Sequence, residues 1–193
     1  MQIAPNFDST KWKTLQLDDP ESSDWGIAVA VLSGRIQERY FDPMDILIAA
    51  EKDKPATKRR FGFSILAIDC LLIETLGAFL LGLTDTDSKS KKVFSEFLTT
   101  RIQFSGDFDV VTAEQFYTDF RCGILHQAEV GRSSKVWSVG DLIQIKDNGI
   151  IVNRNEFHKR LKDDFEVYLK ELMNPKMTKL RTNFRKKMDF IAR

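Results

Sequence analysis

Apolar residues recur every three or four positions along most of this chain, which is the spacing that places them on one face of a helix. Segment 156–173 is the clearest case, because Phe157, Leu161, Phe165 and Leu172 follow this spacing among charged residues. The pattern predicts helices at 24–41, from Asp42 to about residue 52, at 61–83, at about 94–102, at about 113–129, at 156–173 and from about residue 178.

Capping and breaking residues predict where these helices begin and end. Asp42 followed by Pro43 is typical of an N-cap with proline in the first helical turn, and Thr112 is the expected N-cap of the helix at 113–129. The sequences DKPATK and TDTDS mark breaks on either side of the apolar segment 61–83.

The pattern changes between residues 135 and 153. The sequence LIQIKDNGIIVN, from Leu142 to Asn153, places alternating and β-branched residues around a turn, which predicts a β-hairpin with Asn148 and Gly149 able to adopt positive φ. The sequence KVWSV at 135–139 is a candidate third strand. We therefore expect a mainly α-helical protein, an antiparallel helical bundle with a small β-hairpin insertion before the C-terminal helices.

The length of 193 residues and the 42% hydrophobic content fit a single domain with a substantial core. Its expected parts are an N-terminal arm at 1–23, a core helical bundle at 24–130, the β-hairpin at 135–153 and the C-terminal helices at 154–193.

The apolar segment from Phe61 to Leu83 is long enough to span a bilayer. However, Asp69 and Glu74 lie near its middle, where an ionised carboxylate costs several kcal/mol in lipid. We therefore expect the buried central helix of a helical domain, with a membrane span as the alternative, and both carboxylates then need partners inside the protein.

The formal net charge of +1 conceals an uneven distribution of charge. Residues 1–26 carry two lysines and five acidic residues, net −3, whereas residues 175–193 carry seven basic residues and only Asp189, net +6. The basic end suits contact with phosphates, and a solvated helix face explains it equally well.

The two cysteines, Cys70 and Cys122, cannot form a disulfide framework, and no Cys/His cluster has the spacing of a zinc site. The N-terminal sequence lacks the apolar core of a secretion signal. We therefore expect a cytoplasmic protein with neither a metal nor another cofactor. No glycine-rich phosphate loop occurs, which argues against P-loop and dinucleotide-binding proteins.

The candidate chemistry lies in FRCGILHQAE, residues 120–129, which contains Arg121 and His126. Five positions on an ideal helix separate the two side chains by about 140° and about 7.5 Å along the axis. Gly123 between them would let another helix approach closely. A neutral imidazole can move a proton from or to a ribose oxygen, and a guanidinium can hold the scissile phosphate, so the pair fits metal-independent cleavage of RNA.

This motif, on a late helix of an all-helical array, resembles the Arg-x4-6-His motif of the HEPN superfamily, and the helix order from about Asp24 to Glu129 also fits. The resemblance implies a compact helical bundle in which Arg121 and His126 are catalytic. It further implies an endoribonuclease that cleaves by 2′-hydroxyl transesterification, acts as a homodimer with a composite site, and serves in toxin–antitoxin or phage defence under an antitoxin or another regulator. One position departs from the pattern, since Cys122 follows the arginine where active members often have Asn, Asp or His.

Several other residues are candidates for supporting roles. Those expected to orient the pair are Asp69, Glu74, Cys122 and Gln127. Those expected to contact RNA are Arg132, Lys135 and Trp137, which would stack on a base, although tryptophan in a strand more often belongs to the core. His158 is expected at the surface.

Two alternatives to the enzyme remain open. Cys122 favours a catalytically silent HEPN-like module that binds RNA or nucleotides. In the second alternative, the protein is a helical interaction protein whose basic C-terminal helix docks an acidic partner. His126 is then a structural histidine bonded to Asp69 or Glu74.

Overall fold

The computed structural model describes all residues from Met1 to Arg193. Helices account for 61% of them, which confirms the mainly α-helical prediction. The α-helices are α1 Ser9–Lys13, α2 Asp24–Ile36, α3 Asp42–Ala49, α4 Gly62–Leu81, α5 Ser90–Thr100, α6 Val110–Phe116, α7 Gly123–Gln127, α8 Arg154–Met173 and α9 Thr178–Ile191. The strands are β1 Gln2–Ala4, β2 Phe7–Asp8, β3 Lys135–Trp137, β4 Ile143–Lys146 and β5 Gly149–Asn153, and short helical segments of other types lie at Gln37–Phe41, Ala56–Lys58 and Tyr117–Cys122.

Helix α4 is the centre of the molecule and packs against α5, α8 and α9. By length and composition it is apolar enough to cross a membrane, but 56% of its most apolar stretch is buried inside the chain. A mostly buried core helix of a soluble protein has these properties. Gly77 of α4 permits the close approach of α5, since a Cβ there would lie 2.5 Å from a methyl carbon of Val93.

Helix α3 begins at Asp42 with Pro43 in its first turn, as predicted, but the predicted N-cap role of Asp42 is wrong, because α2 continues into α3 through a π-helical turn at Gln37–Phe41. The amide of Asp42 donates to the carbonyl of Gln37, a bond to the fifth residue back, and its carboxylate accepts from the side chain of Gln37 at 2.5 Å. This wider turn accommodates Pro43, which has no N–H and whose ring would clash with a carbonyl in a regular α-helical turn.

The predicted cap of the next helix is also wrong. Asp109, not Thr112, is the N-cap of α6, and its carboxylate accepts a hydrogen bond from the amide of Thr112 at 2.7 Å. Both residue types cap helices, and the apolar pattern alone does not distinguish a start at Val110 from one three residues later. The single helix predicted at 113–129 is divided in the structure, because the π-helical turn Tyr117–Cys122 lies between α6 and α7.

Aromatic packing fixes the helix that carries Arg121. The ring of Phe116 stacks on Phe157 of α8 with 5.1 Å between centroids and 5° between planes. Phe120, the residue before Arg121, is fully buried and lies 4.4 Å from the ring of Phe116. These contacts hold the π-helical turn against the core.

The small sheet has the strand order β3-β5-β4, with β3 parallel to β5 and β4 antiparallel to β5. The predicted hairpin and third strand are therefore present, but the turn is one residue earlier than expected. Positive φ angles occur at Asp147 and Asn148, and Gly149 is the first residue of β5. Gly149 has no space for a side chain because the backbone of Ser133 lies against it.

The N-terminal segment 1–23, expected as an arm, contributes to the core through Ile3, Trp12 and Leu17. It also lies against α9, where the indole of Trp12 donates to Asp189 at 2.8 Å. The guanidinium of Arg185 binds Asp18 at 2.5 Å, so part of the C-terminal positive charge is neutralised by the acidic N-terminal segment.

Candidate functional site

A cleft of about 580 Å³ lies beside the motif helix. One wall is α4, with Ile68, Leu71 and Glu74, and the opposite wall contains Arg121 and Ile124. Lys187 of α9 and the loop at 85–87 complete it. The cleft is therefore lined by apolar side chains and by charged groups of both signs.

Arg121 is tied to Glu74 across this cleft. Its Nε and Nη2 donate to the same carboxylate oxygen at 3.2 and 3.0 Å, while its Nη1 makes no hydrogen bond with the protein. The other oxygen of Glu74 accepts from the hydroxyls of Thr86 and Ser90. The guanidinium also lies 5.4 Å from the ring of Tyr117, so its orientation is fixed from two sides.

This arrangement perturbs the titration of both partners. Burial alone would raise the pKa of Glu74, but hydrogen bonds from Thr86 and Ser90 and the charge of Arg121 outweigh it, and the pKa is lowered. Burial alone would lower the pKa of Arg121, and the charge of Glu74 reverses that effect, so this pKa is raised. Both groups are therefore ionised at neutral pH.

His126 is exposed and forms no hydrogen bond or ion pair with the protein. It is not among the residues that line the cleft, whereas its neighbours Ile124 and Leu125 are. The structure therefore places Arg121 on the wall of the cleft and leaves the imidazole of His126 in solvent, with no hydrogen bond between them.

The position of His126 is set by a reversal of the chain. Ala128 ends α7 with a φ of 52°, and the amide of Glu129 then donates back to the carbonyl of Gly123 at 3.3 Å. A Cβ on Gly123 would lie 2.6 Å from the carbonyl oxygen of Glu129. Gly123 thus permits the approach of the chain's own backbone, and the expectation that it admits another helix is wrong.

The buried histidine is His158, so its expected surface location is also wrong. Only 2% of its surface is exposed, and its Nδ1 lies 2.8 Å from the Oδ1 of Asp69. Burial raises the pKa of Asp69, an effect that the hydrogen bond of His158 offsets in part. His158 precedes Leu161 by three positions and Phe165 by seven, a spacing that places it on the buried face of α8 and could have predicted its burial.

The two acidic residues of α4 therefore have partners, as the sequence required, but neither partner is His126. Asp69 binds His158 and Glu74 binds Arg121. Among the other candidates, Cys122 is half-buried beside Tyr117, whose pKa is raised by burial and by this thiol. Gln127 is exposed and makes no hydrogen bond.

Three residues expected to contact RNA, namely Arg132, Lys135 and Trp137, are exposed. Trp137 keeps 51% of its surface in solvent, so the expectation that it belongs to the core is wrong. A buried ion pair that the sequence did not predict lies near this tryptophan, where Arg154 binds Glu51 at 2.5 Å with 2% and 1% of the side chains exposed.

Replacing Glu74 by glutamine should destabilise the protein in a pH-dependent way. At neutral pH the loss should be about 1–3 kcal/mol, because a half-buried carboxylate that accepts hydrogen bonds from three residues is weakened and Arg121 loses its counter-charge. Since the pKa of Glu74 is lower in the folded state, its contribution is present above the unfolded pKa and disappears as the pH falls through the folded pKa.

Urea unfolding of Glu74→Gln and wild type at neutral and acid pH measures this effect. Glu166→Gln, at an exposed position without a hydrogen bond, is the matched control and should behave as wild type at both pH values. An equal loss of unfolding free energy for Glu74→Gln at both pH values would show that the ionisation of this carboxylate does not contribute to stability.

The fold and cleft together define a mainly α-helical protein with a small three-stranded sheet and an ion-paired cleft beside its central helix. Comparison of the chain with protein-family models, curated proteins and solved structures found no match.

Proposed function

We propose that the protein is a metal-independent endoribonuclease of the HEPN type. The observation that carries this proposal is the fixed guanidinium of Arg121 on a cleft wall, with Nη1 free of protein acceptors, followed in the same helical segment by the unpaired imidazole of His126. A fixed cation that binds phosphate and a free imidazole that moves protons are the two groups that RNA transesterification requires.

In this reaction one imidazole takes the proton from the ribose 2′-hydroxyl, and the 2′-oxygen attacks the adjacent phosphorus. The bond from phosphorus to the 5′-oxygen breaks, and that oxygen accepts a proton from an imidazolium. The products are a 2′,3′-cyclic phosphate and a 5′-hydroxyl. Arg121 binds the phosphate and stabilises the negative charge that develops on its oxygens.

We propose that a homodimer supplies the second imidazole and brings His126 of one copy to the Arg121 cleft of the other. This arrangement fits the absence of a hydrogen bond between Arg121 and His126 within one chain. Leu71 and Leu125 line the cleft with 47% and 64% of their surfaces exposed, which is the kind of apolar surface that a second copy covers. We further propose that the enzyme acts in the cytoplasm, in toxin–antitoxin or phage defence, and that an antitoxin or another regulator restrains it.

A second candidate is a catalytically silent HEPN-like module that binds RNA or a nucleotide or interacts with a protein. Two features favour it: the charge of Arg121 is already balanced by Glu74, and Cys122 offers only a weak hydrogen-bond donor after the arginine. Binding without cleavage is the behaviour that separates this candidate from the enzyme.

The test uses labelled RNA and purified protein in the presence of a metal chelator. Cleavage should produce cyclic-phosphate and 5′-hydroxyl ends, and a substrate with 2′-deoxyribose throughout should stay intact because it lacks the nucleophile. Cleavage that requires a divalent metal, or that also cuts the deoxy substrate, contradicts the mechanism. Binding of RNA by a folded protein that cuts nothing would favour the silent module.

A further inference from the structure

A second cleft, of about 260 Å³, lies between the start of α4 and the end of β3. It is lined by Thr57, Arg59, Gly62, Trp137 and Arg154, among others. None of these residues lines the cleft of Arg121, and only Trp137 was singled out by its sequence. The two clefts are therefore separate sites on the protein.

The floor of this second cleft contains a guanidinium that is only partly satisfied. Arg154 is buried, and its Nη1 has no hydrogen-bond partner in the protein although its Nη2 binds Glu51. The long helices α4 and α8 begin at Gly62 and Arg154, so two helix N-termini meet here. Asn153 caps α8 and Glu51 accepts the amides that precede α4, so the Nη1 of Arg154 is the donor that stays unsatisfied.

The segment that precedes α4, which contributes Arg59 to the cleft, carries further positive charge. Residues 52–60 carry Lys52, Lys54, Lys58, Arg59 and Arg60 against the single acid Asp53. All of these except the half-buried Arg59 are exposed, and Lys58 makes no side-chain hydrogen bond. Such a cluster beside a helix N-terminus attracts an anionic ligand.

The loop at 52–60 is held in place against the sheet. The guanidinium of Arg59 donates to the hydroxyl of Ser138 at 3.0 Å and to the carbonyl of Lys54 at 3.1 Å. Glu51 accepts hydrogen bonds from the amides of Arg60 and Phe61. Arg59 is therefore held beside Ser138, the residue that follows Trp137, and the backbone of the segment that carries the other cations is fixed at its end by Glu51.

Trp137 gives the cleft an aromatic surface. The chain has three tryptophans, of which Trp12 and Trp25 are 3% and 4% exposed, while Trp137 is 51% exposed. An exposed indole costs free energy in water, and alternating aromatic and cationic surfaces are what a single-stranded nucleic acid binds, with bases stacked on rings and phosphates on lysine and arginine.

We propose that this second cleft binds single-stranded RNA, with one base stacked on Trp137 and the adjoining phosphates on residues 52–60 and Arg154. The proposal deepens the proposed function, since it gives the substrate a binding site apart from the Arg121 cleft, but the binding itself does not depend on cleavage. An acidic protein would use the cations and have no need of the indole.

The experiment measures fluorescence anisotropy with a short, labelled 2′-O-methyl RNA strand, which the proposed ribonuclease cannot cleave because its 2′-oxygen is blocked. Trp137→Ala should weaken binding about 5- to 140-fold, the range for loss of one stacked base. Lys58→Glu should weaken it several-fold and reduce its dependence on salt, because a phosphate contact is lost.

Lys170→Glu is the matched control. Lys170 is exposed and makes no hydrogen bond, and it lies 16 positions after Arg154 on α8, which is about 24 Å along the helix axis. Its replacement makes the same change in charge and should leave binding unchanged. Quenching of tryptophan emission by the strand should likewise disappear in Trp137→Phe, since Trp12 and Trp25 are buried.

Three outcomes overturn the proposal: binding that is equal in all variants, an equal loss in Lys58→Glu and Lys170→Glu, or equally tight binding of polyglutamate, which would assign the surface to an acidic protein. Failure of this proposal is distinguishable from failure of the ribonuclease. Binding without cleavage of ordinary RNA overturns only the ribonuclease, and cleavage that Trp137→Ala leaves unchanged, with unchanged binding, overturns only the second cleft.

Discussion

Replacement of His126 by alanine is expected to slow RNA cleavage by about 10²- to 10⁴-fold, which is the usual value of a positioned general acid or base. His126 is exposed and unpaired, so the variant should unfold at the same urea concentration as wild type. A loss of rate without a loss of stability would therefore be a loss of chemistry. Single-turnover cleavage of labelled RNA gives the rate.

Two further variants sharpen this result. Arg121→Lys keeps the positive charge near Glu74 but removes the planar, bidentate donor, so the rate should fall although the protein stays folded. Gln127→Ala, next to His126 and also exposed, should cleave RNA at the wild-type rate. A comparable loss in both variants would mean that any change at the end of α7 lowers the rate. If His126→Ala cleaves RNA as fast as wild type, the proposed role of the imidazole is wrong.

Replacement of Glu51 by glutamine is expected to lower the free energy of unfolding by about 3–5 kcal/mol, because removing one partner of a buried ion pair leaves a buried, uncompensated charge. Glu51 and Arg154 are 1% and 2% exposed, and the carboxylate also accepts the amides of Arg60 and Phe61. Burial tends to raise the pKa of Glu51, but these hydrogen bonds outweigh it and the pKa is lowered.

Urea unfolding at neutral pH measures the loss. Asp53→Asn, two positions away at an exposed residue that makes no hydrogen bond, makes the same change in charge and should have little effect. The double variant Glu51→Gln/Arg154→Met should recover part of the stability, because it removes the charge that the single variant leaves behind. A loss of less than about 1 kcal/mol in Glu51→Gln would mean that water reaches this pair.

The positions of the main helices were predictable because each buries an apolar stripe whose spacing is visible in the sequence. The exact starts were not. Asp42 and Thr112 are good N-cap residues by type, but a π-helical turn carries the chain past Asp42, and Asp109 was the better-placed acceptor for the helix that contains Thr112. Local propensity offers several possible caps, and tertiary packing chooses among them.

The sequence predicted which residues the candidate site contains, but not how those residues pair. The sequence showed two carboxylates in an apolar helix and two basic side chains in a later one, and it required that the carboxylates be paired. It did not show that Glu74 would bind Arg121, 47 positions away, or that Asp69 would bind His158, 89 positions away. Those pairings depend on which faces of α4, α8 and the motif helix meet.

Lys187 belongs to α9, yet it lines the cleft of Arg121, and its ammonium group donates to the carbonyl of Thr84 at 2.6 Å. Helix α9 also buries Phe184 and Met188 in the same core as Trp12 and Trp25. The cleft of Arg121 is therefore complete only where α9 is folded against α4, and local unfolding of α9 would remove Lys187 from the cleft while leaving the ion pair of Arg121 and Glu74 in place.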